Sequence, residues 1–170
     1  MASQNGPLYM GLDLSTQQLK AVLIRSDLKV VHEAKVDFDA DLSKYGIKHG
    51  VFHPSKSEVT APVAMWIEAL DLVLSRLEEG GAPMDRIAGV SGAGQQHGSV
   101  FWSKDGEKYL ESLDASKGSL VDQLKNAFAC ETSPNWQDAS TQEQCDAFDD
   151  ALGGQEKLAQ VTGSKAHHVC

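Results

Sequence analysis

Residues 8–38 read LYMGLDLSTQQLKAVLIRSDLKVVHEAKVDF, and the turns and apolar runs of this stretch decide the fold. Three short strands follow one another, LYMGLDLS, LKAVLIRS and KVVHEAKVDF, with polar joints at Thr16 to Gln18 and at Ser26 to Leu28. The joints are short enough for antiparallel hairpins, and Val and Ile crowd the second strand and the start of the third, so the stretch predicts a β-meander. Downstream, residues 39–56 are polar, Gly-containing and aperiodic, which predicts a loop. Val63, Trp66, Ile67, Leu70, Val73, Leu74 and Leu77 then fall on one face of a 3.6-residue period. This helix is expected to be capped by Thr60, to tolerate Pro62 in its first turn and to stop at Gly80, Gly81 and Pro83.

A short apolar strand, Arg86 to Ser91, leads into the glycine-rich GAGQQHG and a strand-like SVFW. Strand, strand, strand, helix, strand is the order in which ribonuclease-H-like ATPase domains begin, although many α+β domains share it. Beyond Trp102 the pattern turns helical. Leu120, Leu124 and Phe128 mark one stretch, and Cys145, Phe148 and Leu152 another, with Ser140 and Glu143 as its capping box and Gly153 and Gly154 as its stop. A last short helix, 156–161, should end at Gly163. There is no internal repeat and no low-complexity segment.

With 170 residues, 41% of them hydrophobic and 23% charged, the chain has enough material for one sizeable core. Its net charge of -9 argues against a protein that wraps nucleic acid or lies on anionic lipid, because either partner would be repelled over most of the surface. Local phosphate sites remain open, since backbone amides bind anions without net positive charge. Cys130, Cys145 and Cys170 form no Cys-x-x-Cys pair and leave one thiol over in any disulfide scheme, which suits a reducing compartment. The N-terminus lacks a basic segment followed by an apolar one, and no apolar run approaches the ~18 residues of a membrane helix. A soluble, cytoplasmic protein is expected.

Three constellations carry candidate chemistry. In Gly11-Leu12-Asp13-Leu14-Ser15-Thr16, a carboxylate at a strand end can hold Mg²⁺ directly or through water. The following turn amides, with the hydroxyls of Ser15 and Thr16, can donate to phosphate oxygens, and Gly11 lets a phosphate approach the backbone. Asp, Ser and Thr also supply ordinary turn chemistry, and Lys20 nearby reads as an exposed strand lysine. In Ser91-Gly92-Ala93-Gly94-Gln95-Gln96-His97-Gly98, small residues followed by two amides and an imidazole suit a polyol ligand; a structural turn accounts for them equally. In Ser133-Pro134-Asn135-Trp136-Gln137-Asp138, Trp136 is placed to cover a sugar face and Asp138 to accept from its hydroxyls. The plainer alternative is a core tryptophan beside a helix-start aspartate. The remaining histidines, His32, His49, His53, His167 and His168, have no metal-binding spacing, and Asp146, Asp149 and Asp150 read as a solvated helix face.

Taken in order, YMGLDLSTQQLKAVLI, APVAMWIEALDLVL, SGAGQQHGSVFW, SPNWQDAST and VTGSKAHH resemble the N-terminal domain of the FGGY carbohydrate kinase family, on its eukaryotic xylulose kinase branch. The resemblance spans Tyr9 to His168 and is most specific in SGAGQQHGS. It implies an α/β fold with a mixed sheet, an actin-like (ribonuclease-H-like) ATPase domain that is the first of two closing over a cleft. Residues 8–168 would form that domain after a disordered 1–7, with the C-terminal domain absent. The implied activity is phosphorylation of D-xylulose by ATP and Mg²⁺. Asp13 would hold the metal, Gly11, Ser15 and Thr16 the phosphates, and Gln95, Gln96, His97, Trp136 and Asp138 the sugar.

Family members carry their catalytic aspartate in the second half and follow the Thr-Gly-Ser segment with an arginine, whereas this chain continues Val169-Cys170. No catalytic residue is therefore expected in this chain, and self-association through an exposed inter-domain face is.

Overall fold

A computed structural model describes residues 6–168 of the chain. Strands β1 (Leu8–Leu14), β2 (Gln18–Arg25) and β3 (Val30–Asp37) form the expected antiparallel meander. At the first joint the Ser15 amide donates to the Gln18 carbonyl at 2.9 Å. At the second, the Leu28 amide donates to the Arg25 carbonyl at 2.9 Å, and Leu28 takes a left-handed φ of 63°. Strand β5 (Ile87–Ala93) lies parallel to β1, giving the sheet order β3-β2-β1-β5. Parallel neighbours need a crossover, and residues 38–86 supply it.

That crossover contains α1 (Phe38–Asp41), the strand β4 (Thr60–Pro62), which pairs over three residues with a later segment, and the long helix α2 (Val63–Glu79). Alternation along the strands puts Leu8, Met10, Leu19, Ala21, Leu23 and Val36 on one face of the sheet, where α2 covers β2 and β3. The buried arc of α2 includes Val63, Trp66, Val73 and Leu77 from the predicted stripe, and adds Met65 and Ala69. Ile67, Leu70 and Leu74 are only half buried, so the helix is rolled toward the β2–β3 side. Between the end of β1 and α2 an apolar cavity of about 350 Å³ remains, lined by Leu12, Leu14, Trp66, Leu70, Val100 and Trp102.

Several local expectations are corrected. Thr60 does not cap α2: its backbone is paired with Phe52, it lies in β4, and Pro62 takes the N-cap position with no side-chain bond. The loop 39–56 contains α1's end and a 3-10 turn, Ser43–Tyr45. SVFW forms no strand; Trp102 alone bridges to Phe128, whose ring lies 4.9 Å away. After α3 (Gly106–Glu111), helix α4 spans only Leu120–Leu124, and Phe128 lies outside it. Its start is fixed by Asp71 of α2, which accepts from the amides of Leu120 and Val121.

Strand β6 (Thr132–Pro134) pairs antiparallel with β4. Helix α5 (Gln142–Ala151) has Thr141 at its N-cap, because the Ser140 hydroxyl donates to Asp138 instead of closing a capping box. Within α5, Cys145 is buried as expected, but Phe148 is 64% exposed, and Asp149 is buried where a solvated face was expected. Helix α6 (Gln155–Thr162) ends at Gly163, in left-handed conformation, as its sequence predicts. The expected disordered segment 1–7 lies outside the described residues through position 5, and the carbonyl of Gly6 accepts from the Arg86 guanidinium. Val169 and Cys170 also lie outside the described residues.

Candidate active-site wall at the carboxyl ends of β1 and β5

Because β1 and β5 run parallel, with Asp13 opposite Ala93, their carboxyl ends lie side by side and the loops that follow converge. In sheets of this kind ligands bind at such ends. Here the two loops and Trp136 enclose a cleft of about 470 Å³, lined by Asp13, Leu14, Ser15 and Thr16 on one side and by Gly94, Gln95, Gln96, His97 and Trp136 on the other. All three sequence constellations thus contribute to a single cleft.

The walls are joined by two bonds that sequence reading does not reveal. The Gln95 amide donates to the Ser15 carbonyl at 3.1 Å, and the Trp136 indole N–H donates to the Thr16 hydroxyl at 3.1 Å. These tie segments 80 and 120 residues apart. The Gln95 Oε1 is buried without a protein partner, which leaves an acceptor for a hydroxyl or a water. His97 has a φ of 61°, uncommon for a side chain that is not glycine, and such backbone strain concentrates at functional sites. Gln96 and His97 are exposed and Trp136 is 52% exposed, so their polar groups and the indole face are accessible.

Asp13 is exposed and accepts from the Ser15 hydroxyl at 3.2 Å. Among the described residues no Lys or Arg lines this cleft, and no cluster of three or more His, Cys, Asp or Glu could cage a metal ion. Asp13 is the one carboxylate that lines the cleft among the described residues, with the hydroxyls of Ser15 and Thr16 beside it.

Two predicted residues sit apart from this cleft. Gly11 faces the outer side of the sheet, in a shallow cavity with Asp13, Lys20, Val22 and Gly92, and a Cβ there would crowd Val22 at 3.2 Å. Lys20 pairs with Glu33 across β2 and β3 at 3.0 Å, as an exposed strand lysine. Asp138 is 4% exposed and does not line the cleft. Its carboxylate accepts from the amides of Val59 at 2.8 Å and Ser140 at 3.0 Å and from the Ser140 hydroxyl. Burial by itself would raise its pKa, but the Ser140 hydroxyl and the two amides outweigh burial and hold the carboxyl below its ordinary range. Asp138 thus ties the 135–140 loop, and with it Trp136, to the strand lead-in at Val59.

Sheet order, crossover helix and a cleft at the carboxyl ends of two parallel strands make a mixed-sheet α/β fold that this chain shares with solved sugar kinases of the actin-like ATPase fold. No family model matches the chain. It is 59% identical over 169 residues, 99% of its length, to "Probable D-xylulose kinase A" of Neosartorya fischeri, and spans 29% of that protein's length. Among solved structures, a xylulose kinase from Brucella ovis superposes with a TM-score of 0.62 at 22% identity over 95% of this chain and 26% of that one. A gluconate kinase from Lactobacillus acidophilus does so with a TM-score of 0.62 at 13% identity over 91% of this chain and 24% of that one. The resemblance to the FGGY carbohydrate kinases, and within them to the xylulose kinases, is thus borne out. The chain spans under a third of the length of the curated relatives it matches.

Proposed function

We propose that residues 8–168 form the first domain of a two-domain sugar kinase, supplying one wall of a cleft in which ATP phosphorylates the 5-hydroxyl of D-xylulose to D-xylulose 5-phosphate. The observation that carries this reading is the joining of a carboxylate-hydroxyl turn to an amide-imidazole-indole wall, through the Trp136–Thr16 and Gln95–Ser15 bonds. Phosphoryl transfer depends on positioning and charge neutralisation more than on covalent chemistry by the protein; this wall would supply positioning and, in Asp13, a seat for the cation that neutralises charge.

Asp13 would hold Mg²⁺, which supplies charge neutralisation on the transferred phosphate when bound. The hydroxyls of Ser15 and Thr16 face the phosphates, while Gln95, Gln96 and His97 exchange hydrogen bonds with sugar hydroxyls and Trp136 covers the sugar's apolar face. The two cysteines among the described residues are free, which suits a cytoplasmic setting, and no described helix is long and apolar enough to cross a membrane. Self-association through an exposed inter-domain face belongs to the same reading, and the uncharged outer strand β5, with Val90 63% exposed, is the open edge at which we place it.

A second reading, sugar binding without turnover by this chain, is favoured by one observation. Asp13 is the only carboxylate lining the cleft among the described residues, and a carboxylate committed to Mg²⁺ cannot also take the proton of the attacking hydroxyl. Calorimetry of the chain with D-xylulose and with MgATP, alongside a coupled kinase assay, tests both. Binding of both ligands without turnover supports one wall of a kinase; no binding of either would sink the proposal, and rapid turnover would sink the second reading.

A further inference from the structure

We propose that Asp39 and Gly50 form a brace behind the Ser15–Gln17 turn, which makes Asp39 a positioning residue for the phosphate side of the cleft. The inference rests on the kinase reading only for the ligand that the braced turn would serve. Neither residue lines the cleft, and Asp39 lies in a stretch that its sequence marks as loop.

The turn Lys48 to Val51 is closed by reciprocal backbone bonds of 2.9 and 3.3 Å, and its central residues, His49 and Gly50, take φ of 56° and 78°. Two consecutive left-handed residues make a turn that only glycine adopts freely, so His49 carries a conformational penalty. The Asp39 carboxylate offsets it by accepting from both amides, His49 at 2.6 Å and Gly50 at 2.8 Å.

The turn is held this way where it meets the cleft from behind. Gly50 is buried against the Thr16 carbonyl so closely that a Cβ would lie 2.1 Å from the oxygen and 3.2 Å from the Gln17 Cα. One residue before Asp39, the amide of the fully buried Phe38 donates to the Gln17 carbonyl at 2.9 Å. Residues 38 and 39 therefore hold the turn at two adjacent points. Their own helix is anchored in turn: the Arg76 guanidinium grips the Asp41 carboxylate with two bonds of 2.8 Å. Support from behind leaves the cleft side of Thr16 to Trp136, and holds the turn in one position before any phosphate arrives.

The test uses the ¹⁵N-labelled 170-residue chain, in which the Trp136 indole N–H reports the position of Thr16 without any ligand. Asp39→Ala and Gly50→Ala should shift or broaden that indole resonance and the amides of Ser15, Thr16 and Gln17, while the indole signals of Trp66 and Trp102 stay in place. Asp39→Asn keeps one acceptor at an exposed position and should give a smaller displacement of the same signals in a folded chain. MgATP affinity should fall roughly tenfold in Asp39→Ala, with D-xylulose affinity unchanged. If Asp39→Ala and Asp39→Asn leave the Trp136 and Thr16 signals where they are, the brace is wrong. If those signals move but the parent chain fails to bind MgATP, the brace stands and the kinase reading falls.

Discussion

Replacing Asp138 by alanine separates a structural carboxylate from a sugar-binding one. In the parent, this 4%-exposed side chain accepts from the buried Val59 amide, the Ser140 amide and the Ser140 hydroxyl. Alanine strands the Val59 amide without an acceptor, at a cost of about 1–3 kcal/mol. The Ser140 groups belong to an exposed residue and regain water, so they add roughly 1 kcal/mol. A loss of about 2–4 kcal/mol is expected, read as a lower midpoint in urea with an unchanged slope. Asparagine keeps one acceptor and should fall between.

The pH dependence has a definite sign. The folded pKa lies below the unfolded value near 3.8, so the stabilisation is present in full above that value and is lost as pH falls through the folded pKa. The gap between parent and alanine variant should therefore narrow below about pH 4. An alanine variant within about 0.5 kcal/mol of the parent at pH 7 would refute the structural role. An asparagine variant of parental stability that no longer bound D-xylulose would return Asp138 to the sugar.

Two further outcomes follow from the same geometry. His97→Gly removes a side chain from a left-handed position, so the chain should gain up to about 1 kcal/mol in urea unfolding while D-xylulose binding measured by calorimetry falls at least severalfold; a loss of stability would show that His97 is a packing residue. Val90→Lys puts a charge on the open β5 edge and should shift sedimentation velocity profiles toward monomer, whereas parental profiles that are already monomeric at all concentrations would dismiss this edge as the associating face.

The sequence by itself determined the meander, the crossover helix and the final helix stop. Each is a local matter: hairpin joints, a 3.6-residue apolar period and a glycine past the helix end act within a few residues. It also marked Asp13, Ser15, Thr16, Gln95, Gln96, His97 and Trp136, all of which line one cleft. Only the tertiary structure decided how that cleft is held. Trp136 meets Thr16 across 120 residues, Gly50 backs Thr16 with no Cβ to spare, and Thr60 and Ser140 abandon their caps because a strand partner and Asp138 claim them first. Asp138 was legible as a carboxylate but not in its direction, since the Val59 amide that captures it lies 79 residues away. Spacing along a chain reports which groups can share a face; which groups they bond to depends on what the fold brings against that face, and that contact is set by the packing of α2 and the pairing of β1 with β5.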